Sequence, residues 1–161
     1  MADENSGPRE ELAEQMLKDI TTSGSIMAYN QGFETARIRE LADFIPDKQD
    51  ELLALNERFI DLIIPFRSFA YYHPDFNGSL SIKSVLPALF PDNNELDYKQ
   101  LGSVQDGAMA MNTFANLHLI EDEQQRQQIR ADLLAYCHLD TLAMVRILEE
   151  LITVCNSNVE E

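Results

Sequence analysis

The sequence predicts a helix-rich α/β chain in which a small sheet is packed by helices. Two kinds of observation lead there. Apolar residues recur at helical spacing over most of the 161 residues, whereas the run at 25–29 is short, apolar-weighted and bounded by Gly24 and Asn30, as a buried strand would be. The run at 59–66 fits a strand or a helix, and residues 59–63 are the candidate second strand.

In chain order, residues 1–7 read as a disordered lead-in. Pro8 and the acidic Glu10 and Glu11 open a helix carrying Leu12, Met16, Leu17 and Ile20. The strand at 25–29 leads into a helix over about 33–44 with Ile38, Leu41 and Ala42 inward, closed by Pro46. Asp47 would cap a helix over 47–56 with Leu52, Leu53 and Leu55 inward. Residues 71–78 are loop-like, and His73 with Pro74 in this aromatic loop reads either as a recognition surface or as a cover over the core. Ser79 or Ser81 caps a short helix that Pro87 would kink or force to start late. Residues 92–102 connect to a helix over about 104–117, and a long helical tract at 121–154 is broken near 136–140. One domain over 8–155 and a flexible tail at 156–161 complete the expectation.

Composition narrows the function. With 28 acidic against 12 basic side chains the net charge is −16, which repels a phosphate backbone that binding proteins normally meet with clustered Lys and Arg. A stand-alone nucleic-acid-binding module is therefore disfavoured. An acidic domain can still carry a metal-dependent nuclease site when another part of a longer protein grips the substrate. The apolar runs are far shorter than the ~20 residues that cross a bilayer, and no basic segment precedes an apolar one near the start. A cytoplasmic location without membrane attachment follows. Cys137 and Cys155 are too few and too far apart for a disulfide framework or a zinc knuckle, and are expected to be reduced packing residues.

Two clusters carry candidate chemistry. In Tyr29-Asn30-Gln31-Gly32-Phe33-Glu34 a strand ends, the chain turns and a helix begins beside a carboxylate, the kind of edge where α/β sheets build sites. Taken alone, Asn30 and Gly32 also read as turn formers, and Glu34 as an acid suited to a helix N-terminus. In Tyr136-Cys137-His138-Leu139-Asp140-Thr141 the four-residue interval sets Tyr136 and Asp140 on one helix face. Asp140 equally suits the cap of a helix running on through Leu142, Val145 and Leu148. His73, His118 and His138 share no ligand spacing.

Together, Asn-x-x-Phe-Glu after a strand and the later Tyr-x-x-x-Asp resemble the second and third motifs of the DEDD 3′–5′ exonucleases, in their tyrosine branch. The clusters above, the run Gly78-Ser79-Leu80-Ser81-Ile82-Lys83-Ser84-Val85-Leu86-Pro87-Ala88-Leu89 and Asp106-Gly107 are similar to the bacterial domain-of-unknown-function family 2779, over residues 8–153. The resemblance implies a truncated RNase H-like exonuclease fold and two-metal phosphodiester hydrolysis with Mg²⁺ or Mn²⁺. It assigns Asp140 to the first metal, Tyr136 to the attacking water, Glu34 to the second metal, and Asn30 with Phe33 to the 3′-terminal nucleotide. Glu34 stands where the superfamily usually has Asp. Nothing before residue 25 fits the first motif, Asp-x-Glu. The expectation is therefore the C-terminal part of an exonuclease-like domain, inactive by itself, that meets nucleic acid only through the full-length protein. The alternative is a non-catalytic interaction or regulatory module that keeps the fold. In either case loss of the opening strands would leave apolar surface, so self-association is expected.

Overall fold

A computed structural model describes residues 8–157; the lead-in at 1–7 and residues 158–161 of the tail lie outside the described residues. The chain is helix-rich, with one small parallel sheet. It divides, within a four-residue helix, into two compact units, one up to Ile64 and one from Pro65 onward.

The first unit contains α1 (Arg9–Asp19), β1 (Ile26–Ala28), α2 (Gly32–Phe44), α3 (Gln49–Asn56) and β2 (Phe59–Asp61). β1 and β2 pair in parallel, with Ile26 opposite Phe59 and Ala28 opposite Asp61. Parallel strands need a long return connection, and the α2–α3 segment supplies it. Ala13, Ile38, Ala42, Ile45, Leu52 and Leu55 form the core, and Ile26 and Phe59 pack against it. Leu53, expected inward, is exposed, as is Leu12. Leu52 and Leu55 face inward as expected, three residues apart, and a helical face that holds residues at that spacing leaves Leu53 outside; in α1 the fully buried residue is Ala13. Asp47 does not cap α3: it lies in a 3₁₀ turn, Pro46–Lys48, and Lys48 precedes the α-helix. Proline at the start of that turn sets a tighter coil before the helix proper begins.

Arg58 ties the entry to the sheet. Its guanidinium donates to the carbonyls of Thr21, Ser23 and Gly24 at 2.6, 2.8 and 2.8 Å, while its own carbonyl accepts from Ile26 N at 2.9 Å. Gly24 holds φ +91° in this turn, a conformation that glycine adopts at no steric cost.

The division falls in α4 (Ile64–Arg67), so the ambiguous run at 59–66 is a strand followed by one helical turn. The second unit continues with α5 (Ile82–Leu89), α6 (Gly107–Asn116) and α7 (Glu123–Ser157). Ser81 occupies the N-cap position of α5, one of the two the sequence suggests, but makes no side-chain capping hydrogen bond, and Pro87 is accommodated within the last turn. Asp106 caps α6 by accepting from Met109 N at 2.7 Å. The connection at 92–102 is two 3₁₀ turns, Asn94–Leu96 and Tyr98–Gln100. α7 runs 35 residues without the break expected near 136–140. It contains no Gly or Pro to interrupt it, and Leu133, Tyr136, Leu139, Ala143 and Ile147 form one buried stripe that carries it through. Cys137 and Cys155, expected as packing residues, are exposed because they lie off that stripe. Phe76 is buried and meets Phe66 edge-on at 5.6 Å, so the aromatic loop at 71–78 contributes to the core. Among the described residues no helix is long and apolar enough to cross a membrane.

Arg58 spans the turn with three hydrogen bonds, to which the Thr21 hydroxyl adds one, donating to the Ser23 carbonyl at 3.0 Å. Arg58→Ala is expected to lower the unfolding free energy by about 2 kcal/mol, and Arg58→Lys to restore only part of it, because an ammonium cannot present the planar fork. Chemical denaturation of the three chains measures this.

Candidate functional site

The first candidate region is the C-terminal edge of the parallel pair. After β1 the chain turns through Asn30, whose φ is +63°, and enters α2. This turn needs an acceptor, since its amides lie beyond the strand ladder. Asp61, at the end of the neighbouring strand and only 8% exposed, supplies it. One carboxylate oxygen accepts from Asn30 N at 2.7 Å and from Ile63 N at 3.2 Å, and the other from Gln31 N at 3.1 Å. Glu34 sits in the first turn of α2, where the helix dipole favours a carboxylate, and is half-buried. Phe33 is exposed, with the Arg37 guanidinium 5.4 Å from its ring centroid.

The second region lies on α7. Tyr136 and Asp140 are one turn apart, as the sequence indicated, and Tyr136 belongs to the buried stripe. The structure adds Tyr98: its hydroxyl donates to Asp140 Oδ1 at 2.8 Å, and its ring centroid is 6.3 Å from that of Tyr136. Asp140 is therefore a mid-helix carboxylate engaged by a phenol from a 3₁₀ turn, and does not cap a helix. Lys83 closes the group from α5, its ammonium 5.4 Å from the Tyr98 ring centroid and donating to the Gln105 carbonyl at 2.5 Å. Burial first, then the charge of Asp140, push the Tyr136 phenol up to about 12. The same two causes raise Tyr98 further, with Tyr136 adding to them. Both phenols are therefore neutral hydrogen-bond donors at physiological pH.

Sequence reasoning missed Asp61 and Tyr98. A lone acid interrupting the apolar run at 59–66 is a usable signal for Asp61. Tyr98 has no local signal, because its partner is 42 residues away. Glu34 lies in the first unit, and Asp140 in the second. Among the described residues no group of three or more His, Cys, Asp or Glu side chains is placed to hold a metal ion. The described donors thus do not by themselves fit the paired-ion site that the resemblance implies.

With this geometry established, relatives place the chain. The family described as Domain of unknown function (DUF2779) matches residues 1–81. The chain belongs to this family. It is similar to the uncharacterized protein MG366 homolog of Mycoplasma pneumoniae, 34% identical over 131 residues, covering 76% of this chain and 20% of that protein. It is also similar to the uncharacterized protein UU173 of Ureaplasma parvum, 32% identical over 138 residues, with the same 76% and 20% coverage. The chain spans about one fifth of the length of these curated relatives. No solved structure matches it. The family match contains β1, the turn at Asn30, Glu34 and Asp61, whereas Tyr98, Tyr136 and Asp140 lie beyond it.

Two outcomes are expected. Asp61→Ala removes the carboxylate that accepts from Asn30, Gln31 and Ile63 and costs about 3 kcal/mol, whereas Asp61→Asn, which keeps one carbonyl oxygen there, costs roughly half as much; urea unfolding separates them. The second concerns alkaline pH. Tyr98 and Tyr136 have folded pKa values above the unfolded value of 10.0. Their contribution is thus fully present below pH ~10 and is lost as pH rises towards about 12 and beyond. Ultraviolet absorbance of tyrosinate should show a late-titrating class coincident with loss of helical circular dichroism. Tyr98→Phe should flatten the fall of stability with pH in that window.

Proposed function

We propose that this chain is the C-terminal part of an RNase H-like 3′–5′ exonuclease domain, whose phosphodiester hydrolysis belongs to a longer protein. The observation that carries the reading is the C-terminal edge of the parallel strand pair. It gathers Asn30, Glu34 and the buried Asp61 around one strand-to-helix turn, the position at which open α/β sheets bind ligands. The Tyr136 and Asp140 pair on α7 adds the third motif of the resemblance.

Each residue has a part consistent with its surroundings. Asn30 and Phe33 would meet the terminal nucleotide, Asn30 from a fixed turn and Phe33 with an exposed ring. Tyr136, neutral at physiological pH, would orient water as a hydrogen-bond donor and would not take a proton from it. Asp140 and Glu34 would contribute carboxylate oxygens, the donor type that Mg²⁺ and Mn²⁺ prefer. The described donors form no metal cage, so the reading requires further carboxylates from outside the described residues.

A second reading is a non-catalytic interaction module. The net charge of −16 favours it, since an acidic surface repels nucleic acid.

One experiment separates the two. A relative expressed at full length is incubated with single-stranded DNA or RNA and Mn²⁺, beside its variants at the positions equivalent to Asp140 and Tyr136 and beside this chain alone. The nuclease reading expects shortening from the 3′ end, loss of about 100-fold or more when Asp140 becomes Asn, a loss of about 10-fold or more when Tyr136 becomes Phe, and no degradation by this chain. A full-length protein that leaves both polymers intact, or whose activity survives Asp140→Asn, leaves the interaction module standing.

A further inference from the structure

α7 has two apolar faces. The one built on Leu133, Tyr136, Leu139, Ala143 and Ile147 is buried. Val145, two residues and therefore about 200° around the helix from Ala143, lies on the opposite side. It belongs to a second series, Leu134, His138, Thr141, Val145, Leu148 and Ile152, whose intervals alternate between four and three residues. That is the repeat with which one helix presents a seam to another. Leu134 is 52% exposed, Val145 45% and Ile152 51%, while His138 and Thr141 are exposed and Leu148 is half-buried. Apolar residues scattered singly over a surface need no explanation. A row kept in register over five turns of helix does.

Charge singles out the same face. Apart from His138, the helix between Asp132 and Glu149 carries only two charged side chains, Asp140 and Arg146. Asp140 is taken by the Tyr98 hydroxyl, and Arg146 is paired with Glu149 of its own helix at 2.9 Å. Thr141 donates its hydroxyl to the Cys137 carbonyl at 3.0 Å, so its polar atom is satisfied locally. The seam is thus balanced in charge within a chain of net charge −16. Two such chains repel wherever acid faces acid, and here they can meet without that cost.

We propose that α7 pairs antiparallel with α7 of a second copy of this chain along this seam. A two-fold axis level with residue 143 sets Leu134 against Ile152 of the second copy, His138 against Leu148 and Thr141 against Val145, each contact occurring twice. Every layer then contains an aliphatic side chain. Parallel pairing would instead set His138 on His138 and Thr141 on Thr141, two successive polar layers. Tyr136 and Asp140 stay on the other faces of α7, so the pairing is independent of the nuclease reading.

The paired segment, from 131 to 155, is about 36 Å long and each helix about 10 Å across. Such a pair covers roughly 400 Å² on each copy, the low end for a specific interface. The dimer is therefore weak, with a dissociation constant on the order of 100 µM. Salt should strengthen it, because screening relieves the repulsion between two acidic bodies while an apolar seam has no ion pairs to lose.

Sedimentation equilibrium of this chain from about 10 µM to about 1 mM, at low and high salt, reads the pairing. A reversible dimer that tightens with salt is expected. Val145→Glu and Leu134→Glu, each placing two acids in the seam, should weaken it about tenfold or more, whereas Val145→Ile should keep it. Ile60→Glu on β2 and Met111→Glu on α6, at exposed apolar positions elsewhere, should leave it unchanged. Oxidised glutathione, which accepts the two thiol hydrogens, reads the orientation. With Cys137→Ser and Ala131→Cys, position 131 lies against Cys155 of the second copy and a disulfide-linked dimer forms. With Cys137→Ser alone the two Cys155 thiols are about 36 Å apart and none forms. A chain that stays monomeric at about 1 mM, a dimer indifferent to both seam substitutions, or one dispersed by Ile60→Glu or Met111→Glu instead would overturn the seam. Linkage through Cys155 alone would overturn the antiparallel register. Helical circular dichroism verifies that each variant is folded.

Discussion

The Asp61 carboxylate is the contact on which the first unit's organisation depends. Two strands of three residues each provide few ladder hydrogen bonds, and a pair this small does not hold its register without outside support. The backbone past β1 has to reverse direction at Asn30 with a positive φ, a turn that leaves consecutive amides pointing away from any strand. One carboxylate, supplied by the partner strand at the residue that pairs with Ala28, answers Asn30, Gln31 and Ile63 together. Strand register, the turn and the first residues of α2 are thereby fixed by one side chain. Phe33, Glu34 and Arg37 inherit their positions from it.

The second unit uses a different device. α7 is a single rod whose buried stripe carries Tyr136, so the position of Asp140 follows from helix geometry alone, one turn further along. What geometry leaves undetermined is the orientation of the carboxylate, and the Tyr98 hydroxyl at 2.8 Å supplies that. Burying Tyr98 and Tyr136 beside an acid penalises their ionisation, which keeps both as donors. A negative group surrounded by neutral donors is stabilised without a buried counter-ion, avoiding the desolvation of a second charge.

How far the sequence disclosed these arrangements depends on the range of the interaction. β1 and α2 were legible because their signals are local: an apolar run between Gly24 and Asn30, then helical spacing of Ile38 and Ala42. The run at 59–66 resisted assignment because it contains both a three-residue strand and a helical turn, each shorter than the window over which periodicity becomes decisive. The break expected near 136–140 came from reading Asp140 as a cap, yet a buried stripe with no Gly or Pro carries a helix through such residues. Asp47 failed as a cap because Pro46 starts a tighter turn one residue earlier. In the candidate site, the spacing of Tyr136 and Asp140 was visible, whereas the Tyr98 contact, made across 42 residues, leaves no periodic trace. Asp61 was visible as an oddity without a role, since a lone acid in an apolar run does not say which amides it will meet.

The charge of −16 weighs on approach more than on grip. At physiological ionic strength, charges beyond about 8 Å are largely screened, so a bound phosphate responds to the few groups within that distance rather than to the chain's total. At α2 those groups include Arg37 with its exposed partner Glu40. The same acidity that slows the arrival of a polyanion also disfavours nonspecific retention of its backbone.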